Sequence, residues 1–328
     1  MEKTLYPLKF KSIYKQVIWG GDKLKEKLGK KGTPENCGES WELSGVADNV
    51  SVVAEGFLSG NPLDDLIEIY MGDLVGDKVF DKFGLEFPVL IKFIDANDHL
   101  SVQVHPDDEY AAKHHGSRGK TEMWYIIDND EGAELISGFN KDIDEKVFME
   151  HLENKSLKEI LNFVPVNKGD VYFLPAKRVH AIGKGIMLAE IQQTSDMTYR
   201  IYDWDRVGAD GNPRELHLDH SVKVMDYQKQ SDVRTKYDRL INQSVNLADC
   251  PYFTTGLVEL DQVVDKDFSM IDSFVIYICT EGRVMINYKN GEPVYINKGE
   301  TVLIPAMLKE ISLIPEEKST LLEVYLKV

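Results

Sequence analysis

The stretch "SVQVHPDDEY", residues 101–110, sets an amide, an imidazole and three carboxylates within seven positions. In a strand, residues two apart share a face, so Gln103 and His105 form one edge of potential metal ligands while Val102 and Val104 point into the opposite layer. Pro106 bars the α region to the residue before it and so keeps His105 extended at the strand end. Asp107 stands where a helix N-cap would, with Asp108 and Glu109 in the first turn, which assigns these acids to a helix start and its dipole. Taken alone, His105 reads equally as a hydrogen-bonded histidine at a strand end. Two further pieces bear on it: Glu122, opening the run "EMWYII", and His180 in "LPAKRVHAI". Two histidines, one carboxylate and one amide oxygen would give an N2O2 set suited to zinc or another divalent ion. Such an ion could polarise a carbonyl or hydroxyl of a ligand.

A third constellation lies in "AEIQQTSDMTYRIYDWDR", residues 189–206. Alternation puts Arg200 and Tyr202 on one face, with Arg206 further along, so two guanidiniums could reach one pocket and grip a phosphate in bidentate fashion. The alternative is that Arg200 pairs with Asp203 or Asp205 as a surface bridge of little worth. Lys120, on Glu122's side of its strand, is either a solvated charge or a substrate ligand beside the metal.

Such residues need rigid strands to hold them, and the chain supplies many. Short β-branched and aromatic runs such as "PVLIKFID", "DVYFLPA", "IMLAEIQ", "SFVIYIC" and "TVLIPA" are broken by Gly, Pro, Asn and Asp, the pattern of a mainly β sandwich or barrel. Helical spacing appears from Asn61, from Asp144 and from Glu215. In the second of these, Val147, Leu152, Ile160, Leu161 and Val164 would line one side of a helix. An internal repeat fixes more. "KGDVYFLPAKRVHAI" (168–182) aligns without gaps on "KGETVLIPAMLKEIS" (298–312), so one fold occurs twice. His180 falls opposite Glu310, and the polar segment 226–244 separates the copies. The boundary is set at 235/236, with the metal-binding unit before it and a unit without metal after it.

At 328 residues and 43% hydrophobic content the chain can bury two cores. Its formal charge of -17 disfavours nucleic acid and anionic membranes, and any anionic substrate needs a local basic site. Three scattered cysteines argue against a disulfide framework and for a reducing compartment. No run approaches the ~20 apolar residues of a membrane span, and the chain reads as cytoplasmic.

Together, "LSVQVHPDDEYA", "GKTEMWYII", "FLPAKRVHAIG" and "QQTSDMTYRIYDWDR", with "WGGDKL" and "GESWELS" near the start, resemble the type I mannose-6-phosphate isomerases, zinc enzymes of the cupin superfamily, in their short bacterial form. The resemblance covers nearly the whole chain. It implies two cupin jelly-roll barrels with a few decorating helices, and one Zn2+ per chain on Gln103, His105, Glu122 and His180. It also implies a sugar-phosphate pocket containing Trp19, Glu39, Ser101, Lys120, Asp196 and Arg200, with Arg206 where many relatives have lysine. The reaction implied interconverts mannose 6-phosphate and fructose 6-phosphate through a cis-enediol, with Arg200 and Lys120 as catalytic groups. Glu190, on the strand leading to Arg200, is one candidate for the base; a lysine or a metal-activated water are others. Two rivals stay open: a non-haem iron oxygenase, which the fourth ligand Gln103 disfavours, and a catalytically silent sugar-phosphate binder. Oligomeric state is not legible.

Overall fold

Alternation along the strands decides the layering. The computed structural model describes residues 4–207, 211–289 and 291–328; Met1–Lys3 and Gly208–Asp210, inside the expected first unit, lie outside the described residues. Eleven strands precede residue 203: β1 (Ile13–Gly21), β2 (Cys37–Leu43), β3 (Val89–Ala96), β4 (Val102–Val104), β5 (Glu122–Asn129), β6 (Glu134–Phe139), β7 (Leu161–Pro165), β8 (Val171–Leu174), β9 (His180–Ala181), β10 (Ile186–Gln193) and β11 (Tyr199–Tyr202). They form two antiparallel sheets, in the orders β1-β2-β3-β10-β5-β8 and β11-β4-β9-β6-β7. Nine more follow: β12 (Ser244–Asp249), β13 (Thr254–Leu260), β14 (Val264–Asp267), β15 (Val275–Glu281), β16 (Arg283–Tyr288), β17 (Val294–Asn297), β18 (Thr301–Ile304), β19 (Glu310–Pro315) and β20 (Ser319–Tyr325). These repeat the arrangement as β12-β13-β20-β15-β18 and β14-β19-β16-β17. The mainly β class holds. The closed barrels expected are instead pairs of open sheets, because the edge strands β1 and β8 of the larger sheet share no ladder with β11 and β7 of the smaller.

The larger first sheet is apolar on both faces. Phe93, Met123, Tyr125, Ala189 and Ile191 face the second half and share a core with Leu257, Ile276, Ile278, Leu322 and Val324. Ile94, Trp124, Ile126 and Leu188 face inward, toward the smaller sheet. The smaller sheet turns Val102, Val104, Ala181 and Ile201 outward, where Phe148 and Val224 cover them. Each large aliphatic side chain so buried contributes roughly 1.5–3 kcal/mol. The alternate residues, Gln103 among them, are therefore left facing the space between the sheets.

Among the described residues six α-helices decorate the sheets: α1 (Lys23–Leu28), α2 (Leu63–Val75), α3 (Asp77–Phe83), α4 (Asp108–His115), α5 (Glu145–Glu153) and α6 (Leu218–Val224). Asp107 caps α4 as expected, its side chain accepting from the Tyr110 N–H, and Gly116 ends that helix in the left-handed region. The helix expected from Asp144 is shorter than its spacing predicts. Lys155 takes a left-handed φ of 54°, the Ser156 N–H turns back onto the His151 carbonyl, and the chain re-enters as β7. Phe148, not Val147 or Leu152, is that helix's deeply buried residue, while Leu161 and Val164 belong to the strand. No helix among the described residues is long and apolar enough to cross a membrane.

Candidate metal centre

Gln103 on β4 and His180 on β9 are paired across the smaller sheet, so both project to its inner side. His105 follows β4, and Glu122 opens β5 on the facing sheet. His105, Glu122 and His180 are fully buried, and one ligand atom from each lies within 4.8 Å of the others. The two Nε2 atoms stand 3.1 Å apart, with His105 Nε2 3.2 Å from Glu122 Oε1 and His180 Nε2 3.5 Å from Glu122 Oε2. Gln103 turns Nε2, rather than the expected amide oxygen, to His180 Nε2 at 3.3 Å. A half-turn about its last side-chain bond exchanges the two amide atoms.

The polar atoms here fit a cation. Burial first, and then the Lys120 ammonium, drop His105 to about 3, and burial lowers His180 as well, so both imidazoles are neutral. His180 Nδ1 lies 2.8 Å from the Arg178 carbonyl, to which it donates, leaving the Nε2 lone pair directed at the cluster. Burial pushes Glu122 up, yet the Lys120 ammonium beside it pulls the other way, and the carboxylate is held well below its usual range. Neither Glu122 oxygen has a partner in hydrogen-bond geometry, although the Lys120 ammonium is 3.2 Å away. A buried carboxylate orphaned in this way, facing two neutral imidazoles, is what a divalent cation would satisfy.

Beyond these ligands lies a buried charge layer. Glu190 projects from β10 beside Lys92 of β3, its register partner. Lys92 Nζ stands 3.0 Å from Glu190 Oε1 and 3.5 Å from Glu39 Oε2. Trp124 Nε1 donates to Glu190 Oε2 at 2.8 Å, and Trp41 Nε1 to Glu39 at 2.6 Å. Lys92 was not expected from the sequence. Its signal is a lysine flanked by "VLI" and "FI" in "VLIKFIDA", a run buried throughout whose one other charge is Asp95.

The remaining expected residues are spread more widely. Trp19 and Ser101 are buried, Trp19 within the inner apolar cluster. Arg200 is the register partner of Gln103 and shares its face; its Nη1 donates to the Glu215 carbonyl, and its buried Nε has no partner. Arg200 therefore does not form the surface bridge to Asp203 or Asp205. Arg206 does pair, with Asp203 at 2.6 Å and Asp98 at 3.4 Å, and Arg214, which the sequence did not single out, grips Asp203 with two nitrogens. Burial raises Asp203, but these two guanidiniums hold it below its usual value. Asp196 is exposed and lines a cleft of about 480 Å3 with Ser117 and Glu86, none of whose walls is a ligand candidate.

The second copy differs where ligands would stand. Glu310 is exposed, and its neighbour Ile311 turns into the core, so the sequence match of His180 to Glu310 slips by one residue in space. Ile311 pairs with Lys266 across β19 and β14, as His180 pairs with Gln103. By register Val275 stands where Glu122 does, since Glu122 faces Leu174 and Val275 faces Ile304. Among the described residues, the one cluster able to hold a metal is that of the first copy.

Against known proteins, the family model described as "Phosphomannose isomerase type I, catalytic domain" matches residues 7–140. The mannose-6-phosphate isomerase ManA of Bacillus subtilis is 38% identical over 317 residues, covering 94% of this chain and 96% of that one. The mannose-6-phosphate isomerase of Streptococcus mutans is 36% identical over 304 residues, covering 92% and 93%. Among solved structures, a mannose 6-phosphate isomerase from Bacillus subtilis superposes with a TM-score of 0.87 at 29% identity, covering 98% of this chain and 99% of the other.

Proposed function

The chain belongs to the type I phosphomannose isomerases and interconverts mannose 6-phosphate and fructose 6-phosphate, and we propose that it does so through a cis-enediol at a zinc centre held by Gln103, His105, Glu122 and His180. The observation that carries this reading is the buried trio of His105, Glu122 and His180, with a carboxylate that lacks hydrogen-bond partners. When bound, a divalent cation supplies a Lewis acid for a sugar oxygen.

The chain's own residues account for the proton traffic. Glu190 takes the proton from C2 while Lys120 gives one to O1, leaving the enediol. Glu190 then returns its proton to C1, Lys120 recovers one from O2, and the carbonyl has moved to C2. Each Glu190 oxygen is engaged once, by Lys92 and by Trp124, and a carboxylate has about four lone-pair sites, so capacity for a proton remains. Burial and the negative Glu122 raise Glu190 against the pull of Lys92, which suits a base working near neutrality. Arg200 donates to the developing enediolate, Arg206 anchors the phosphate, Ser101 and Trp19 line the sugar's path, and Glu39 holds the Lys92 charge in place. Such local cations are what an anionic sugar requires in a chain of net charge -17. Residues 1–235 form the catalytic unit in this reading, and 236–328 a unit that packs against it.

A second reading of Glu190 has its own support. Glu323 occupies the corresponding register position in the second copy and is held by the Tyr277 hydroxyl at 2.6 Å and by Lys266 at 2.7 Å, with no ligand set beside it. There the fold uses a buried carboxylate only to seat a lysine. Glu190→Gln separates the two: as base, its loss abolishes exchange of the C2 hydrogen with solvent along with turnover, whereas a seat for Lys92 leaves their ratio unchanged.

The zinc reading is tested by chelation. Metal-stripped protein should lose isomerase activity on mannose 6-phosphate and regain it with one equivalent of Zn2+. Full turnover in protein shown by elemental analysis to be metal-free would refute it.

A further inference from the structure

We propose that Gln193 is a positioning residue that locks the Lys120–Glu122 segment to the His105 segment, through one amide that donates to Asp108 and accepts from Thr121. The inference rests on the metal-centre reading above. Gln193 ends β10 beside Gln192, which faces Glu122 by register, so Gln193 itself points away from the ligands. It is nevertheless buried, and both ends of its carboxamide are used. Its Nε2 donates to Asp108 Oδ1 at 2.9 Å, and its Oε1 accepts the Thr121 N–H at 2.9 Å.

The two segments so joined carry three of the site's groups. Thr121 lies between Lys120 and Glu122; Asp108 lies three residues after His105. Their backbones also meet directly, the Lys120 N–H on the Pro106 carbonyl at 3.1 Å and the Gly119 N–H on Asp108 Oδ1 at 2.8 Å. The approach is close enough to require glycine at 119, since a Cβ there would fall 2.6 Å from backbone atoms of Asp107 and Asp108. The His180 side is tied in as well: the Ala176 N–H donates to Thr121 Oγ1 at 3.2 Å, and the Lys177 N–H to the His105 carbonyl at 2.8 Å. Tyr252 lines one cleft with Asp108 and Gln193, so the second half of the chain reaches the same clamp. No other side chain of this length both donates and accepts. A carboxylate at 193 would face the Asp108 carboxylate, and a leucine would strand a buried N–H.

The pairing defines a test by exchange of roles. Gln193→Glu keeps the acceptor for Thr121 but opposes Asp108; adding Asp108→Asn removes that opposition and supplies an amide that donates to the new carboxylate, at the cost of the Gly119 bond, since Gln193 and Gly119 both donate to Asp108 Oδ1. Zn2+ affinity is read by competition with a chromophoric chelator, and kcat and KM on mannose 6-phosphate are measured at saturating metal. Gln193→Glu should weaken zinc binding and lower kcat by about tenfold each, with KM held within about twofold, as for loss of a group that orients ligands. The double variant should recover part of both, because the bond between 193 and 108 is restored while the Gly119 N–H loses its acceptor. If the single variant does not fold, Gln193→Leu takes its place for the same two readings, and the double variant must still fold and bind zinc. Wild-type zinc affinity and kcat in Gln193→Glu, or losses that the second substitution leaves unrepaired, overturn the inference. A wild-type protein that binds no zinc overturns the metal reading beneath it, which is a different result.

Discussion

Replacing Lys92 by methionine removes the only ammonium, among the described residues, in hydrogen-bond or ion-pair contact with Glu190 and Glu39, at 3.0 Å and 3.5 Å. At an effective dielectric of about 20, each contact is worth on the order of 5 kcal/mol before desolvation. Breaking a buried pair by deleting one partner costs about 3–5 kcal/mol, most of it the penalty of the stranded carboxylates. Lys92→Met should therefore lower unfolding free energy by that amount, measured by urea denaturation of metal-free protein with tryptophan fluorescence. Glu190→Gln added to it removes one stranded charge, and the double variant should fall short of the sum of the singles by about 1–3 kcal/mol. The sign of the pH effect follows. In the wild type, burial raises Glu39 but Lys92 outweighs it and holds the carboxyl low. Without Lys92 the folded-state pKa of Glu39 rises above its unfolded value and that of Glu190, already raised, climbs further, so the variant's deficit is small near pH 4 and grows as pH climbs. A loss under ~1 kcal/mol, strict additivity, or a deficit independent of pH would refute the view of Lys92 as the keystone of this layer.

His180→Ala should abolish both metal content and turnover while leaving the circular dichroism spectrum in place; retained zinc by elemental analysis would remove His180 from the ligand set. Arg200→Ala should keep its metal yet lose roughly a hundredfold or more in kcat, as for loss of a transition-state donor, and an unchanged kcat would eliminate it from the mechanism. Asp95 is fully buried, accepts the Lys23 N–H at 2.8 Å, and is raised by burial from 3.8 to about 6. A raised acid destabilises the fold progressively from about pH 4 to pH 6, so Asp95→Asn should gain on the order of 3 kcal/mol at pH 7 and flatten that slope in pH-resolved melts. Asp107→Ala removes the α4 cap and should cost about 1 kcal/mol, detectable as faster amide exchange at Tyr110.

The Gln103–His105 edge of the proposed ligand set was legible because it rests on period-two alternation and one proline. Gln103 and His105 had to share a face, Pro106 ended the strand, and Asp107 had the geometry of a cap; each of these depends on neighbours within a few residues. The charge layer was less so. Lys92 carries a signal only as an anomaly in an apolar run, and its partners Glu39 and Glu190 lie 53 and 98 positions away along the chain, brought together by a register that no local pattern encodes. Arg214 sits outside any regular strand or helix and had no periodicity to betray it. The long helix from Asp144 failed for a local reason: the apolar spacing continued, but a left-handed turn at Lys155 converted its second half into β7. Spacing there was compatible with both a helix face and an alternating strand.

The repeat shows how far an ungapped alignment carries and where it stops. Lys168–Pro175 and Lys298–Pro305 correspond in sequence, and Trp124–Tyr172 and Tyr277–Val302 correspond in register. After the proline the facing slips, so that Ile311 rather than Glu310 occupies the inward position. What survives from copy to copy is a carboxylate on the strand that crosses the sheet centre, Glu190 and Glu323, each with an aromatic donor and a lysine. What does not survive is the ligand set, replaced by Lys266, Val275 and Ile311. Lys266 therefore brings a fixed positive charge between the sheets of a copy that has no ligands for a metal cation. The carboxylate common to both copies fits the fold's need to seat a buried lysine; the orphaned oxygens of Glu122, which have no counterpart among the described residues of the second copy, fit the proposed cation.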